Sequence, residues 1–329
     1  MYLFLIISII IIVSINGQVK KSVHMNIEFS GNIDININFD NKNNDKDIGS
    51  MYICGGYNGS NYLSDCYKYN KHSIDWQSIQ SMSTTRQSFG LVSMDSRLYA
   101  IGGYNSTTIE TVETYDFHTN IWDGISSMNL PRYAFGSAVV NNKIYVCGGY
   151  NDEILKSCEY YSTNTDEWYF ITPMGSERSE FELVSIGEGF LYAIGGYNRN
   201  GYLNSMNRFD IKSKQWTRKA NMISKRSKFG SVSFMGKIYV CGGLGNSDGK
   251  TCEKYDPQTN HWTPIASMND KRFNFKMVSI GDNLFALGGY SGDKGRLDSV
   301  EIYDRYSDKW FYTQSLPQTI DSFGATTVN

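Results

Sequence analysis

The sequence predicts an all-β fold that repeats one unit six times, and two observations lead to this prediction. A short apolar segment that ends in Gly-Gly, as in MYICGGY, LYAIGGY and IYVCGGY, occurs six times at steps of 46 or 47 residues. Each tryptophan follows the first glycine of a pair by 20 to 22 residues. A fixed period of this length is the signature of a repeat architecture. The repeated residues are Gly55-Gly56, Gly102-Gly103, Gly148-Gly149, Gly195-Gly196, Gly242-Gly243, Gly288-Gly289, Trp76, Trp122, Trp168, Trp216, Trp262 and Trp310.

Within each unit, the local composition predicts four strands. The segment KIYVCGG (143–149) is apolar and β-branched, which is typical of a strand buried on both faces. The segments SVEIYD (299–304) and KWFYTQSL (309–316) alternate in polarity, which indicates half-buried strands separated by turn residues. A four-stranded sheet has two faces to cover. The units should therefore stack around an axis as a six-bladed β-propeller.

Further positions recur in every copy and carry a family resemblance. An aromatic residue precedes each tryptophan by seven residues; Met or Leu follows it by six, and Phe by thirteen. Five copies place an arginine three residues before that Phe, and the last copy has Ile320 there. The pattern resembles the kelch repeat over residues 50–329. The arginines and phenylalanines are Arg86, Arg132, Arg178, Arg226, Arg272, Phe89, Phe135, Phe181, Phe229, Phe275 and Phe323.

The two ends of the repeat region predict how the ring closes. The first copy begins at residue 51 without the strand that precedes every other Gly-Gly segment. The C-terminus carries a spare strand of that type, FGATTV (323–328). We expect this strand to complete the first blade, which leaves no open sheet edge in the ring.

The first 49 residues predict a leader and a linker. Residues 2–13 are an apolar run of a length that suits a signal peptide better than a membrane span, so 1–17 is predicted to be a cleaved signal peptide. A short anchor and a decayed repeat stay open as alternatives. Residues 18–49 are predicted to be a linker, with alternation from Met25 to Phe39 that favours a strand and a disordered segment at 40–47.

The six cysteines occur only in copies 1, 3 and 5, always as a pair on two consecutive predicted strands. We predict disulfides Cys54–Cys66, Cys147–Cys158 and Cys241–Cys252, given the oxidising compartment that a signal peptide implies. The alternative is a set of free core cysteines inherited by duplication of a two-repeat unit. Spacings of 11 or 12 residues within sheets are unlike those of zinc ligands.

The sequence shows no catalytic constellation, so we expect no enzyme, no metal and no cofactor. Of the four histidines, His72, His118 and His261 fall in turns of separate blades, and His24 lies before the repeats. The chain has 31 basic and 33 acidic residues, which gives no basic surface for nucleic acid. An enzyme that uses the central pocket of the propeller stays as the alternative.

The family resemblance implies a non-catalytic module that binds a peptide or protein on one face. That face comprises the loops after Gly-Gly and the loops around the motif arginine. By position it would carry a ring of tyrosines, interrupted by Leu244, with Glu180, Lys228 and Lys271 as specificity residues. An acidic and apolar partner segment should dock near blades 5 and 6. The tyrosines are Tyr57, Tyr104, Tyr150, Tyr197 and Tyr290.

Two Asn-x-Ser/Thr sequons, at Asn58 and Asn105, directly follow two of the repeated GGY segments and are candidate glycosylation sites on that face. The expected setting is secreted or lumenal, with a monomeric propeller and no membrane contact beyond the leader. The rival setting is cytosolic. There the resemblance implies an adaptor that recruits substrates to ubiquitin ligases, here without the BTB and BACK domains.

Overall fold

A computed structural model describes residues 7–15, 18–27, 49–70, 73–187, 189–245 and 248–328. The chain divides into two compact units, Met1–Ile48 and Gly49–Asn329. In the first unit, strands Ile7–Ile15 and Gln18–Ile27 pair antiparallel. The predicted cleavage after residue 17 stays a prediction. The predicted strand from Met25 is described as far as Ile27, and its continuation and the segment 40–47 lie outside the described residues.

The second unit is the predicted six-bladed propeller of four-stranded antiparallel sheets. From the axis outward, blade 1 contains Gly324–Val328, Ser50–Tyr57, Tyr62–Asn70 and Asp75–Ile79; blade 2 contains Gly90–Met94, Arg97–Tyr104, Thr108–Asp116 and Ile121–Ile125; blade 3 contains Gly136–Val140, Lys143–Cys147, Cys158–Ser162 and Glu167–Ile171. Blade 4 contains Glu182–Ser185, Phe190–Ile194, Met206–Asp210 and Gln215–Lys219; blade 5 contains Gly230–Phe234, Lys237–Cys241, Cys252–Asp256 and His261–Ile265; blade 6 contains Lys276–Ile280, Asn283–Leu287, Val300–Asp304 and Lys309–Thr313. Two-residue strands pair as Tyr150–Asn151 with Glu153–Ile154, Tyr197–Asn198 with Gly201–Tyr202, and Tyr290–Ser291 with Gly295–Arg296.

The predicted ring closure is confirmed. The C-terminal strand is the innermost strand of blade 1, where Val328 pairs with Ser50 and Gly324 pairs with Cys54. Each innermost strand also lies against the innermost strands of the two neighbouring blades, so the six form a closed circle around the axis. The described residues contain strands and turns but no helix, and hence no helix that could span a membrane.

The repeated large residues fill the wedges between blades. Between blades 1 and 2, Met82, Phe89, Tyr115 and Trp122 are buried in one apolar cluster. The indole N–H of Trp122 donates to the carbonyl of Gln80 at 2.9 Å, which ties the outer edges of the two blades together. Equivalent bonds reach the preceding blade from Trp168, Trp216, Trp262 and Trp310.

The Gly-Gly pairs are required by both backbone angle and space. Gly102 and Gly103 have φ of 55° and 103°, a region that residues with a Cβ rarely adopt. A Cβ on Gly103 would lie 2.6 Å from the Cβ of Phe89, and a Cβ on Gly102 would lie 2.6 Å from the methyl carbon of Met128. Glycine therefore lets each blade approach its two neighbours at this point.

All three predicted disulfides are present, each within one blade. Cys147 and Cys158 are paired directly opposite each other on the second and third strands of blade 3, with Cα atoms 4.1 Å apart. In the even blades, apolar pairs such as Ile101 and Val112 occupy the same register. The disulfides thus replace a core contact of the other three blades.

Candidate functional site

The loops after the Gly-Gly pairs and the linkers that carry the motif arginines lie at one end of the propeller, which we call the Gly-Gly face. The register explains this placement, because the innermost strand begins where the second strand ends, as in the pairing of Gly90 with Ile101. The turns between the first and second strands and between the third and fourth strands lie at the other end, the opposite face.

At the centre of the Gly-Gly face, six backbone amides form a closed ring around the axis. In each blade the residue two positions after the motif arginine, or after Ile320, donates its N–H to the carbonyl of its counterpart in the preceding blade, at 2.7–3.0 Å. All six residues have φ between 51° and 56°, a left-handed conformation that costs about 1–2 kcal/mol when a Cβ is present. These residues, the mouth ring, are Ser88, Ala134, Glu180, Lys228, Asn274 and Ser322.

The motif arginines hold neighbouring blades together from within. Arg86 of blade 1 is fully buried and donates to the carbonyls of Gly102 and Thr111 in blade 2 at 2.8 and 2.7 Å. It also donates to Glu113 Oε1 at 2.8 Å. Burial by itself would raise the pKa of Glu113, but the Arg86 cation and hydrogen bonds from Ser83 and Thr84 together lower that pKa below its usual value. The arginine is thus a seam residue and does not project onto the face.

The glutamates that pair with these arginines were not predicted from the sequence. Four blades carry one, always two residues before the repeated aromatic residue, and this constant spacing was the available signal. The seam between blades 6 and 1 has lost both partners, since Ile320 replaces the arginine and Tyr67 replaces the glutamate. The paired glutamates are Glu113, Glu159, Glu253 and Glu301.

On blades 1, 2 and 3, half-exposed aromatic rings form a continuous row across the Gly-Gly face. Centroid distances are 5.5 Å from Tyr57 to Tyr62, 5.9 Å from Tyr62 to Tyr104, 5.3 Å from Tyr104 to Tyr133 and 5.5 Å from Tyr133 to Tyr150. Rings at these distances attract one another. This row of rings includes three of the predicted tyrosines. It also includes Tyr62 and Tyr133, which were not predicted.

The row of rings continues into blade 6 through the cation of Arg296. The guanidinium of Arg296 lies 4.7 Å from the ring of Tyr57 and 5.6 Å from the ring of Tyr290, within cation–π range of both. Arg296 Nε is 2.7 Å from Asp321 Oδ2, and Phe273 lies 5.2 Å from Tyr290. We call the whole set the aromatic arc: Phe273, Tyr290, Arg296, Tyr57, Tyr62, Tyr104, Tyr133 and Tyr150.

Blades 4 and 5 present charges in place of this arc. Lys228 Nζ is 3.3 Å from Glu180 Oε1, and Arg199 Nε is 2.7 Å from Glu177 Oε1. We call these four residues the charged sector. The predicted Tyr197 lies beside them, 39 % exposed and 5.4 Å from Tyr202.

Lys271, the remaining predicted specificity residue, lies on the linker into blade 6 and pairs with Asp293 at 2.8 Å. Lys228 and Lys271 therefore both face a carboxylate. The positive charge of each lysine is thus neutralised locally.

Along the axis of the propeller, a cavity of about 530 Å³ opens at the Gly-Gly face, with the mouth ring and residues of the aromatic arc in its wall. Glu182 of blade 4 and Lys276 of blade 6 meet inside it, with Lys276 Nζ 3.3 Å from Glu182 Oε1. Burial raises the pKa of Glu182, and the lysine opposes that shift. The sequence signal was a departure from the repeat, because four copies read Phe-Gly at this position and these two read Phe-Glu and Phe-Lys.

Comparisons with known proteins identify the family. The model of the Attractin/LZTR1 beta-propeller matches residues 98–329, and the model of the kelch motif matches residues 49–83. The chain belongs to the kelch propellers. Kelch-like protein 33 of Homo sapiens is 37% identical over 68 residues, which cover 20% of this chain and 13% of that protein. Kelch-like protein 36 of Mus musculus is 31% identical over 212 residues, which cover 59% of this chain and 34% of that protein.

The chain thus spans about a third or less of the length of the curated relatives it matches. Among solved structures, the structure of YjhT has a TM-score of 0.67 and covers 80% of this chain and 97% of that chain. At 13% identity this likeness shows the shared fold alone. Kelch propellers typically serve as protein-interaction modules.

The two histidines of this kelch propeller that the structure describes do not converge. His118 and His261 are exposed on the opposite face, in the turn of blade 2 and at the start of the outer strand of blade 5. His72 lies outside the described residues, and His24 belongs to the N-terminal unit. Within the described part of the chain, no group of three or more His, Cys, Asp or Glu side chains could hold a metal ion.

Both sequons lie in loops of the Gly-Gly face, beside the aromatic arc. Asn58 follows Tyr57, and its side-chain oxygen accepts the backbone N–H groups of Ser60 and Asn61 at 3.0 and 2.9 Å. Asn105 follows Tyr104 in the equivalent loop of blade 2. Glycosylation at either position stays a prediction.

Proposed function

We propose that this kelch propeller is a non-catalytic binding module that holds a peptide or protein segment on its Gly-Gly face. The observation that carries the proposal is the aromatic arc, in which half-exposed rings follow one another across blades 1, 2 and 3 and Arg296 connects them to the rings of blade 6. Tyrosine suits recognition because it offers a large rigid apolar surface with one polar tip. The arc is a surface of this kind on which a partner can lay apolar side chains.

The backbone below the arc favours tight binding because it is ordered before the partner arrives. The residue after each motif arginine exchanges two backbone hydrogen bonds with the residue after the Gly-Gly pair, as Gln87 does with Tyr104 at 3.0 and 2.9 Å. The mouth ring adds a second closed set of bonds. A preorganised surface loses little conformational entropy on association, so more of the contact energy appears as affinity.

The charges on the face suggest a partner segment that combines apolar and acidic residues. Arg296 lies between two rings of the arc, and Lys228 and Lys271 are partly exposed at its blade 5 and blade 6 side. A partner carboxylate there would share a lysine with Glu180 or Asp293, which is an exchange of ion pairs and contributes more to specificity than to affinity. The segment would extend from the arc toward the mouth ring.

We propose that the axial cavity is not catalytic. Its two inward charges, Glu182 and Lys276, neutralise each other at 3.3 Å. The six motif phenylalanines and the serines of the innermost strands supply much of the remaining wall. The pair is better suited to holding blades 4 and 6 together across the axis than to moving a proton.

Selection of peptides from a random library displayed on phage, against the oxidised full chain, tests the proposal. We expect enriched peptides to carry apolar residues together with Asp or Glu, and to compete with one another. They should lose binding to the variant Tyr104→Ala with Tyr133→Ala. Peptides that bind this variant as well as the wild type would contradict a site on the arc.

The three disulfides favour a secretory setting over the cytosol, where thiols are kept reduced. We propose that the chain enters the secretory pathway with residues 1–17 as its signal peptide. The intact mass of protein from eukaryotic cells, alkylated without reduction, tests this directly. The expected result is loss of residues 1–17 and no alkylated cysteine. An uncleaved N-terminus with alkylated thiols would favour the cytosolic adaptor instead.

A further inference from the structure

The seams between blades differ in how they satisfy the motif arginine. In the seam between blades 1 and 2, the Glu113 carboxylate accepts a bond from Arg86 and also from the backbone N–H groups of Ser83 and Thr84, at 2.7 and 3.1 Å. In the seam between blades 5 and 6, Glu301 accepts from the N–H groups of Asn269 and Asp270 at 2.6 and 3.0 Å. One carboxylate thus balances a buried cation and caps the start of the linker.

The seam between blades 3 and 4 keeps the cation and lacks the carboxylate. Arg178 is 2 % exposed and donates to the carbonyls of Gly195 and Ser205, both at 2.9 Å. Asn207 stands where the other seams have glutamate, and its oxygen is 3.4 Å from Arg178 Nη2. Among the described residues, no carboxylate lies within 4 Å of the Arg178 guanidinium.

Two backbone donors of the same seam are also left without the acceptor that their counterparts have. Gly175 and Ser176 correspond to Ser83 and Thr84 of the first seam. In the described part of the chain, neither of their N–H groups has a hydrogen-bond acceptor. A positive side chain and two N–H groups therefore remain around the place that a carboxylate occupies in the other arginine seams.

The neighbouring acidic side chain does not fill this place. Glu177 precedes Arg178 directly, but its carboxylate is held by Arg199 at 2.7 Å. Burial lowers the pKa of Arg178 to about 10, and no neighbouring carboxylate offsets this shift as Glu113 does for Arg86. A buried charge without a partner is strongly unfavourable, so this seam has a demand for negative charge that its own side chains do not meet.

The seam is also more exposed to solvent than the other arginine seams. Asparagine is one methylene shorter than glutamate, and Asn207 is half-buried where the four paired glutamates are buried. A Cβ built on Gly175 would meet no heavy atom within 4 Å, so the linker is open on its outer side. Gly175 is exposed, so solvent reaches the linker at this end of the seam.

We propose that the seam between blades 3 and 4 binds a compact monovalent anion, a halide or small carboxylate that replaces the missing glutamate. The guanidinium of Arg178 supplies the charge, and the N–H groups of Gly175 and Ser176 supply the directed donors. The anion thereby links blade 3 to blade 4. Because Arg178 lies two residues before Glu180, this link is next to the mouth ring. The stability of the propeller then depends on anion concentration by mass action.

Thermal unfolding of the oxidised full chain tests this site, with sodium chloride or sodium acetate exchanged for sodium gluconate at constant ionic strength. For the wild type, we expect the midpoint to rise by about 2–4 °C for each tenfold increase in chloride or acetate above the dissociation constant. A rise with acetate alone would assign the site to carboxylates, and a rise with chloride would assign it to halides as well.

Two variants separate this site from a general salt effect. Asn207→Glu restores the carboxylate, so its midpoint should no longer respond to the anion. Glu159→Asn converts the seam between blades 2 and 3 to the anion-dependent type, so its response should be steeper than that of the wild type. If the wild type and Asn207→Glu respond alike, or neither responds, the proposal is wrong.

Should Asn207→Glu fail to fold, diffraction from wild-type crystals soaked in sodium bromide decides the matter. A bromide anomalous peak beside Arg178 supports the site. Peaks confined to other positions would overturn it.

Discussion

The aromatic arc and the charged sector lie on different blades of one repeated backbone, and their contrast shows how this fold separates structure from recognition. Tyr133 and Tyr150 of the arc exchange two backbone hydrogen bonds, at 3.2 and 2.9 Å. Ser227 and Leu244, at the same positions beside the charged sector, exchange the same two bonds at 2.9 and 2.8 Å. Because the backbone alone makes these bonds, the side chains are free to differ from blade to blade.

The mouth ring shows the same separation at a higher energetic cost. Its six residues share one left-handed conformation and one ring of hydrogen bonds, yet their side chains include a small apolar group, an acid, a base and an amide. Glycine would adopt this conformation more easily than any of them. Residues other than glycine that keep a strained backbone conformation are candidates for function, because such strain persists only where the surrounding structure enforces it.

The largest effect that we expect is the loss of peptide binding when the arc is interrupted. Tyr104→Ala with Tyr133→Ala removes two adjacent rings, and truncation of central aromatic residues typically costs about 2 kcal/mol or more, or roughly 30-fold in affinity. The change should appear mainly in the dissociation rate of a library-selected peptide, measured by surface plasmon resonance.

The matched control for this pair is Tyr306→Ala, which removes an 83 % exposed ring in a turn of the opposite face. Its affinity for the peptide should equal that of the wild type. Equal losses in the control and in the Tyr104 and Tyr133 variant would argue against the arc as the site.

A smaller effect is expected in the basic residues beside the arc. Lys228→Glu with Lys271→Glu places each new carboxylate next to an existing one, Glu180 or Asp293. For an acidic peptide, we expect a several-fold slower association rate that becomes less dependent on salt, because exposed charges act mainly on encounter.

Lys309→Glu, at an exposed position of the opposite face, is the control for this charge reversal. If the association rate does not change when the charges of Lys228 and Lys271 are reversed, neither lysine belongs to the recognition surface. The surface would then consist of the arc only.

Much of the fold could be predicted because the repeat presents each signal six times. The Gly-Gly pairs, the tryptophans and the spare C-terminal strand located the blades and their closure, and the pairing of cysteines within copies 1, 3 and 5 located the disulfides. Each of these features depends on residues close in sequence or at constant positions of the repeat. Periodicity is therefore sufficient to find them.

The recognition surface could be predicted only in part, because it is made by contacts between blades. Tyr62 and Tyr133 join the arc from positions that are not aromatic in most other copies, so a search for constant residues passes over them. Glu182 and Lys276 are 94 residues apart and meet only because the ring places their strands around one axis. The presence of Asn207 in place of a glutamate likewise points to a site only once the contact with the buried arginine of the preceding blade is known.

The measurement that tests the binding face most directly is hydrogen exchange of the wild type with and without a library-selected peptide. The account predicts slower exchange on binding at loops of the Gly-Gly face, in residues 57–62, 104–108, 150–154 and 290–296. Protection confined to turns of the opposite face, such as 117–120 and 305–308, would contradict it.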